Sequence, residues 1–400
     1  MNKEVNILSR DYYPDNSAVA RLLTELSEDL SKEFKINVFA GHPFYYYNGK
    51  LKNIENNKIK VKRAWCPNLH KDNLFKRTIN ELFLSLNVFS RLCFSKNKLN
   101  IVTSLPFPLQ LTALLLNKIR KHKYILITYE TMPELMAATH LMDKKSLRYK
   151  ILHYLSKKVI DNSSLTVSIG SCMTELLKNK TKYPEKIRFI PNWADIERVV
   201  PIPKEENYFL LRKHIADKFI ISFSGNLGRY VDVNSVLKVA KELRKDKEIA
   251  FVFIGNGKKQ TKVFDFKKKC ALENIHIFDY LPREEVNYSL NSGDVALVLM
   301  DKGTKGVLVP SKVYELMAAA RSLIVITEKD TELEKIVNNA KNGFVIRPGD
   351  SKSLKKAIVE LKTNRKLHEQ MGRNSRNYVV KNFSRKNITE KYAKIIKEIA

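Results

Sequence analysis

The sequence predicts an α/β protein built from two parallel-sheet domains facing a cleft. Three observations predict it. Short β-branched runs alternate with longer amphipathic segments from end to end, the alternation restarts after about residue 215, and a proline-rich polar stretch at 190–203 separates the two series. Alternating strands and helices, with strands that are almost continuously apolar, mean parallel sheets covered on both faces.

In the first series, residues 5–8, 36–39, 101–103, 124–127 and 165–168 read as buried strands, with helical patterns over 19–34 and 147–161 among those between them. In the second series the strands are 219–223, 250–254, 275–277, 295–298, 323–326 and 344–346. The break Ile190-Pro191-Asn192-Trp193-Ala194-Asp195 through Pro201-Ile202-Pro203 sets the expected domains at 1–195 and 196–400. This division leaves room for the last helix to cross back to the N-terminal domain. Parallel sheets bind ligands beyond the carboxyl ends of their strands, so two such sheets place the expected site in the cleft.

Four hundred residues exceed one ordinary core, and 44% hydrophobic with 10% aromatic residues is a globular composition. Cys66, Cys93, Cys172 and Cys270 stand far apart, with neither metal-ligand nor redox spacing, and read as free thiols in a reducing compartment. The first residues lack an apolar signal core, and no apolar run approaches the roughly 20 residues of a membrane span. A cytoplasmic protein is expected. The 72 basic against 42 acidic residues give a formal charge of +30. That charge suits polyanions: nucleic acid, an anionic bilayer or phosphorylated substrates. No nucleic-acid module or aromatic-basic platform accompanies it, so nucleic acid is not an expected partner. Residues 74–93 carry Leu82, Phe83, Leu86 and Phe89 at helical spacing, flanked by Lys71, Lys76, Arg77, Arg91, Lys96 and Lys98. The pattern fits a helix lying on an anionic leaflet as well as a core helix.

The most informative segment is Gly306-Val307-Leu308-Val309-Pro310-Ser311-Lys312-Val313-Tyr314-Glu315, a glycine-bearing loop that turns into a helix. Free N–H groups at a helix start suit phosphate, Lys312 adds a charge, and Glu315 can accept from sugar hydroxyls. A plain helix start explains the same residues, with Ser311 as N-cap and Glu315 a solvated first-turn acid. Two further strand-to-helix turns bear glycines: Ser224-Gly225-Asn226-Leu227-Gly228-Arg229 and Ile254-Gly255-Asn256-Gly257. Glycine permits close backbone approach, and Arg229 can reach phosphate. Three such turns at neighbouring strand ends describe a nucleotide-diphosphate pocket. In the first half, the turn holding Asn16 and Ser17 lacks glycine. Glu130 and Glu134 follow the strand at 124–127, and His42 follows the strand at 36–39; Glu130, Asn16, Ser17 and His42 are the acceptor-side candidates.

Taken in order, Tyr12-Tyr13-Pro14, Ile190-Pro191-Asn192-Trp193, Ser224-Gly225-Asn226-Leu227-Gly228, Phe253-Ile254-Gly255-Asn256-Gly257, Tyr280-Leu281-Pro282, Val309-Pro310-Ser311-Lys312 and Met371-Gly372-Arg373-Asn374 form a pattern. It resembles the family 4 glycosyltransferases of the two-Rossmann-domain (GT-B) type, closest to the branch that builds bacterial surface polysaccharides such as capsule or O-antigen. The resemblance implies an N-terminal acceptor-binding domain and a C-terminal nucleotide-sugar-binding domain. It also implies a retaining, metal-independent transfer without a cofactor, the donor being a UDP-sugar of an N-acetylated hexosamine. The acceptor would be a saccharide or a polyprenyl-diphosphate-linked sugar, reached by an enzyme peripheral to the inner face of the plasma membrane.

Glu315 matches the second glutamate of the family's pair; the first is replaced by Val307. Backbone N–H groups of Gly306, Val307, Leu308 and Val309 would then touch the sugar and distal phosphate. The family's arginine and lysine in the phosphate turn fall at Asn226 and Val231, leaving Arg229 and Lys312 as replacements. Tyr280 and Leu281 would lie beside the base, and Glu130 would orient or deprotonate the acceptor hydroxyl. Two alternatives share the architecture: a nucleotide-sugar 2-epimerase and a non-catalytic scaffold subunit.

Overall fold

A computed structural model describes residues 4–15, 17–43, 57–67 and 74–399. The chain forms two compact units, one of 1–191, Gly306–Val309 and Lys386–Ala400, the other of Asn192–Lys305 and Pro310–Arg385. The first is therefore discontinuous. It includes a short segment, Gly306–Val309, that the sequence assigns to the C-terminal domain.

The first unit is a seven-stranded sheet of order β3-β2-β1-β4-β5-β6-β7. Its strands are β1 (Glu4–Ser9), β2 (Lys35–Ala40), β3 (Ile59–Arg63), β4 (Leu99–Thr103), β5 (Lys123–Thr128), β6 (Leu165–Ser168) and β7 (Ile187–Phe189). All pairings are parallel, so each connection must cross a face of the sheet. Among the described residues the crossing helices are α1 (Ala18–Leu30), α2 (Leu74–Cys93), α3 (Phe107–Arg120), α4 (Glu134–Ala138), α5 (Leu147–Asn162) and α6 (Ser171–Lys180). Local chemistry sets their ends. Ser17 Oγ accepts from the Ala20 N–H to start α1, and Lys121, in the left-handed region at φ 59°, stops α3.

The second unit is a six-stranded parallel sheet of order β10-β9-β8-β11-β12-β13. Its strands are β8 (Phe219–Ser224), β9 (Ile249–Ile254), β10 (Ile275–Phe278), β11 (Val295–Leu299), β12 (Ser322–Ile326) and β13 (Gly343–Ile346). The helices are α7 (Tyr208–Arg212), α8 (Val233–Glu242), α9 (Gln260–Lys269), α10 (Val286–Leu290), α11 (Lys312–Ala318), α12 (Glu332–Ala340), α13 (Ser351–Thr363) and α14 (Arg365–Phe383). The last helix, α15 (Arg385–Ile399), supplies the 386–400 part of the first unit. The central strands bury both faces, as Ile249–Ile254 shows at every position, which accounts for their unbroken apolar sequences.

Within the first unit, the Lys180–Glu134 ion pair is withdrawn from water. Lys180 Nζ donates to Glu134 Oε1 at 2.8 Å and to the Met132 carbonyl at 2.9 Å, while His153 Nδ1 lies 3.2 Å from the same carboxylate. Burial pushes the Lys180 ammonium down from its ordinary value, and Glu134 pulls it back. Glu134 therefore fixes the loop after β5 and is not a free carboxylate. Removing one partner of a buried pair strands the other charge. Lys180→Met should lower stability by about 3 kcal/mol in urea denaturation, and adding Glu134→Leu should recover most of it.

Candidate functional site

The carboxyl ends of β8, β9 and β10 are laced together in the second unit. The Gly225 N–H donates to the Ile254 carbonyl at 2.9 Å, the Leu227 N–H to Asn256 at 2.8 Å, and the Gly255 N–H to Phe278 at 2.9 Å. Lys259 closes the back, its ammonium donating to the Val231 carbonyl and pairing with Asp301 at 3.0 Å. The glycines are needed here for a reason other than phosphate. A Cβ on Gly255 (φ 135°) would lie 2.0 Å from the Gly225 carbonyl oxygen, and one on Gly257 (φ 145°) 2.5 Å from Asn226 Oδ1. They let one loop rest on the next. Gly225 differs: its nearest neighbour is the Phe223 ring at 3.8 Å, so backbone there stays open to a ligand.

Around this floor, Asn226 and Arg229 are exposed, Asn256 is half-buried, and the exposed Tyr280 places its ring against Gly255. Leu281 packs on a small cluster with Ile220, Val252 and Phe278 and so serves the core at least as much as any ligand. A separate hollow of about 230 Å³ lies nearby, lined by Asp232, Ser235, Asp301, Lys302 and Gly349. None of the expected ligand residues lines it.

The charged centre of the unit is Glu315. Only 3% of its side chain is exposed, and each oxygen faces a cation: Oε1 faces Arg198 Nη2 at 3.5 Å, Oε2 faces Lys312 Nζ at 3.3 Å. The reading as a solvated first-turn acid is thereby corrected. The cap reading also fails, since Ser311 makes no side-chain cap bond and takes a helical backbone conformation. Helix α11 has seven residues, so the charge of Lys312 and Arg198 outweighs any dipole it offers. Arg198 was not foreseen; it lies 117 positions from its partner, and nothing local marks it. Its segment is pinned by Arg376, whose guanidinium donates to the carbonyls of Val199 (2.8 Å), Ala318 (2.8 Å) and Ile196 (2.9 Å). Arg385 adds a 3.2 Å pair with Asp195.

In the first unit, Glu130 follows β5, and Ser104 Oγ accepts from both its N–H and that of Tyr129 at 3.1 Å. Leu308 forms an antiparallel bridge with Glu130, and the Val307 carbonyl accepts from the Thr131 N–H at 2.9 Å. Val307, Leu308 and Val309 are buried; Gly306 turns at φ 73° beside the Cys172 carbonyl. The segment expected to face the donor is thus fastened to the loop that carries Glu130. Desolvation pushes the Glu130 carboxyl up, against the pull of Arg77 and Arg10, with Asp11 adding a smaller push. Those charges form a group missed in the sequence: Arg10 pairs with Asp11 at 2.8 Å and Glu81 at 3.2 Å, and Arg77 pairs with Glu81 at 2.9 Å. The Ser17 hydroxyl is spent capping α1 and lies 3.4 Å from Asp11. His42 is exposed, and Asn16 lies outside the described residues. One consequence can be measured directly. Gly255→Ala should cost at least about 2 kcal/mol in urea denaturation, because the clash is with backbone.

Comparison with known proteins adds the family. Residues 209–378 match the family model described as glycosyl transferases group 1. WbjE of Pseudomonas aeruginosa, named as a probable glycosyltransferase, is 31% identical over 301 residues, 74% of each chain. WcaI of Escherichia coli (strain K12), provisionally named a colanic acid biosynthesis glycosyl transferase, is 26% identical over 44% of this chain and 43% of its own. The crystal structure of Anabaena Alr3699/HepE in complex with UDP-glucose superposes with a TM-score of 0.75, at 12% identity, covering 98% of this chain and 99% of the other. The two parallel-sheet α/β domains are those of GT-B structures, and the chain belongs to the group 1 glycosyltransferases.

Proposed function

We propose that this enzyme moves an N-acetylated hexosamine from a UDP-sugar to a saccharide or polyprenyl-diphosphate-linked acceptor in bacterial surface-polysaccharide synthesis. It would act at the cytoplasmic face of the plasma membrane, with retention of anomeric configuration and without a metal. The observation that carries the reading is the Arg198–Glu315–Lys312 group, two cations held half-open on one buried carboxylate. Breaking the bond between the anomeric carbon and the diphosphate leaves negative charge on the departing oxygen. Cations held in place before the reaction stabilise that charge without reorganising. Lys312, Arg198 and the exposed Arg229 supply them, and Glu315 accepts from the ribose hydroxyls.

Gly225, Asn226, Gly255 and Asn256 form the floor under the diphosphate. Tyr280 and Leu281 border the base, and Ser311 with Gly306, Val307, Leu308 and Val309 meets the sugar end. On the acceptor side, the exposed His42 contacts the sugar. Glu130 takes the proton of the attacking hydroxyl as the new carbon–oxygen bond forms; its raised pKa makes it a better base once ionised.

A thermal-shift series with UDP-N-acetylhexosamines, ADP-sugars and GDP-sugars tests the donor. The uridine nucleotides should raise the melting temperature, and Lys312→Ala and Arg198→Ala should each weaken that binding about 10-fold. No response to any uridine nucleotide would overturn the assignment. Glu130→Gln should keep donor affinity and lower kcat by about 100-fold. A carboxyl raised by folding contributes stability that is full below its unfolded pKa and is lost as pH rises through the folded pKa. Glu130→Gln should therefore melt higher than the parent protein above the ordinary carboxylate range and equal to it below. The acid limb of kcat/KM should lie above that range as well.

A further inference from the structure

We propose that the outward face of α2, α3 and α5 in the first unit is a docking surface for an anionic lipid bilayer. It deepens the transferase reading and rests on it for its purpose, to hold the enzyme where a lipid-linked acceptor resides. Helix α2 lies against α3, and α3 against α5. The steps β3 to β4, β4 to β5 and β5 to β6 all run the same way across the sheet, so right-handed crossovers put the three helices on one face.

Each helix buries one stripe against the unit: Leu84, Val88 and Leu92 on α2, Leu109 and Leu116 on α3, Val159 and Ile160 on α5. An ordinary surface helix is then polar outside. These three are apolar outside as well. Leu86 is 64% exposed, Ile119 61% and Leu147 72%, with Phe83, Leu115 and Ile151 also open. Scattered exposed leucines are unremarkable, but rows on three adjacent helices mark an interaction surface.

The charges decide the occupant. Among the described residues of these helices the only acids are Glu81 and Asp161, and both turn inward. Glu81 is held by Arg10 and Arg77, and Asp161 accepts from Thr181 and the Lys182 N–H. The exposed charges are all basic, among them Arg91, Lys118, Arg120, Arg148 and Lys158. A second copy of this face would set those cations against themselves, whereas an anionic leaflet gains about 1 kcal/mol for each Lys or Arg near it. Trp65 stands at the rim, 57% exposed, its ring 5.6 Å from Phe83 in an edge-on contact. The only other tryptophan, Trp193, is fully buried, so emission changes report Trp65.

The test is flotation of the full chain at low salt with vesicles of equimolar phosphatidylglycerol and phosphatidylcholine, or of phosphatidylcholine alone. The protein should float with the anionic vesicles, with a blue shift of tryptophan emission, and dissociate in high salt. Ile119→Glu/Ile151→Glu, which leaves α2 untouched, should reduce partitioning about 10-fold or more while its circular dichroism and response to uridine nucleotides persist. Failure of the parent chain to float, equal flotation of the double variant, or a parent dimer that the double variant dissociates would overturn the proposal. Vesicle binding without any nucleotide-sugar response would sink the donor assignment and leave this surface standing.

Discussion

Burial of one carboxylate organises the second unit. Helix α11 packs against β11, β12 and α14, which places Glu315 where water scarcely reaches. A charge so withdrawn costs several kcal/mol unless cations meet it. Lys312 comes from the same helix, but Arg198 must come from the chain that enters the unit, and that chain has no regular structure to hold it. Arg376 and Arg385 hold it instead, through four bonds from α14 and the first residue of α15. The electrostatics of the Arg198–Glu315–Lys312 group thus reach back to α14, through Arg376.

The two carboxylates after β5 show how environment divides labour. Glu134 is neutralised by Lys180 and steadied by His153, which makes it a strut. Glu130, four residues earlier, is pulled by Arg77 and Arg10, which are already committed to Glu81 and Asp11, and desolvation dominates its carboxyl. Identical side chains four residues apart thus acquire different characters: one is tied into an ion pair, the other is pushed toward its neutral form by burial.

Where the sequence could be read, it was read through burial. Apolar runs such as 250–254 announced central strands because a strand covered on both faces has no polar side to hide them. The edge strands β3 and β7 escaped, since Ile59–Arg63 alternates with lysines and Ile187–Phe189 is three residues with a central arginine. Glycines marked the right turns for an incomplete reason: Gly255 and Gly257 answer to a neighbouring loop, and only Gly225 leaves room above itself. Lys312 and Glu315 were legible because residues three apart on a helix share a face. Arg198, and the Arg10–Asp11–Glu81–Arg77 group, were not. Arg198–Glu315 and Arg10–Glu81 meet only through the fold, although Arg77–Glu81 is an i,i+4 helix pair and Arg10 and Asp11 are neighbours in sequence.

The return of α15 carries a consequence for biosynthesis. Ile388, Tyr392 and Ile396 fill the core of the first unit, Thr389 bonds Asp29 at 3.0 Å, and Lys397 pairs with Glu33. A chain emerging from the ribosome usually completes its leading domain first. Here that domain waits, its apolar berth open, through the synthesis of nearly two hundred intervening residues. A helix made after the whole second unit is the one that completes the first.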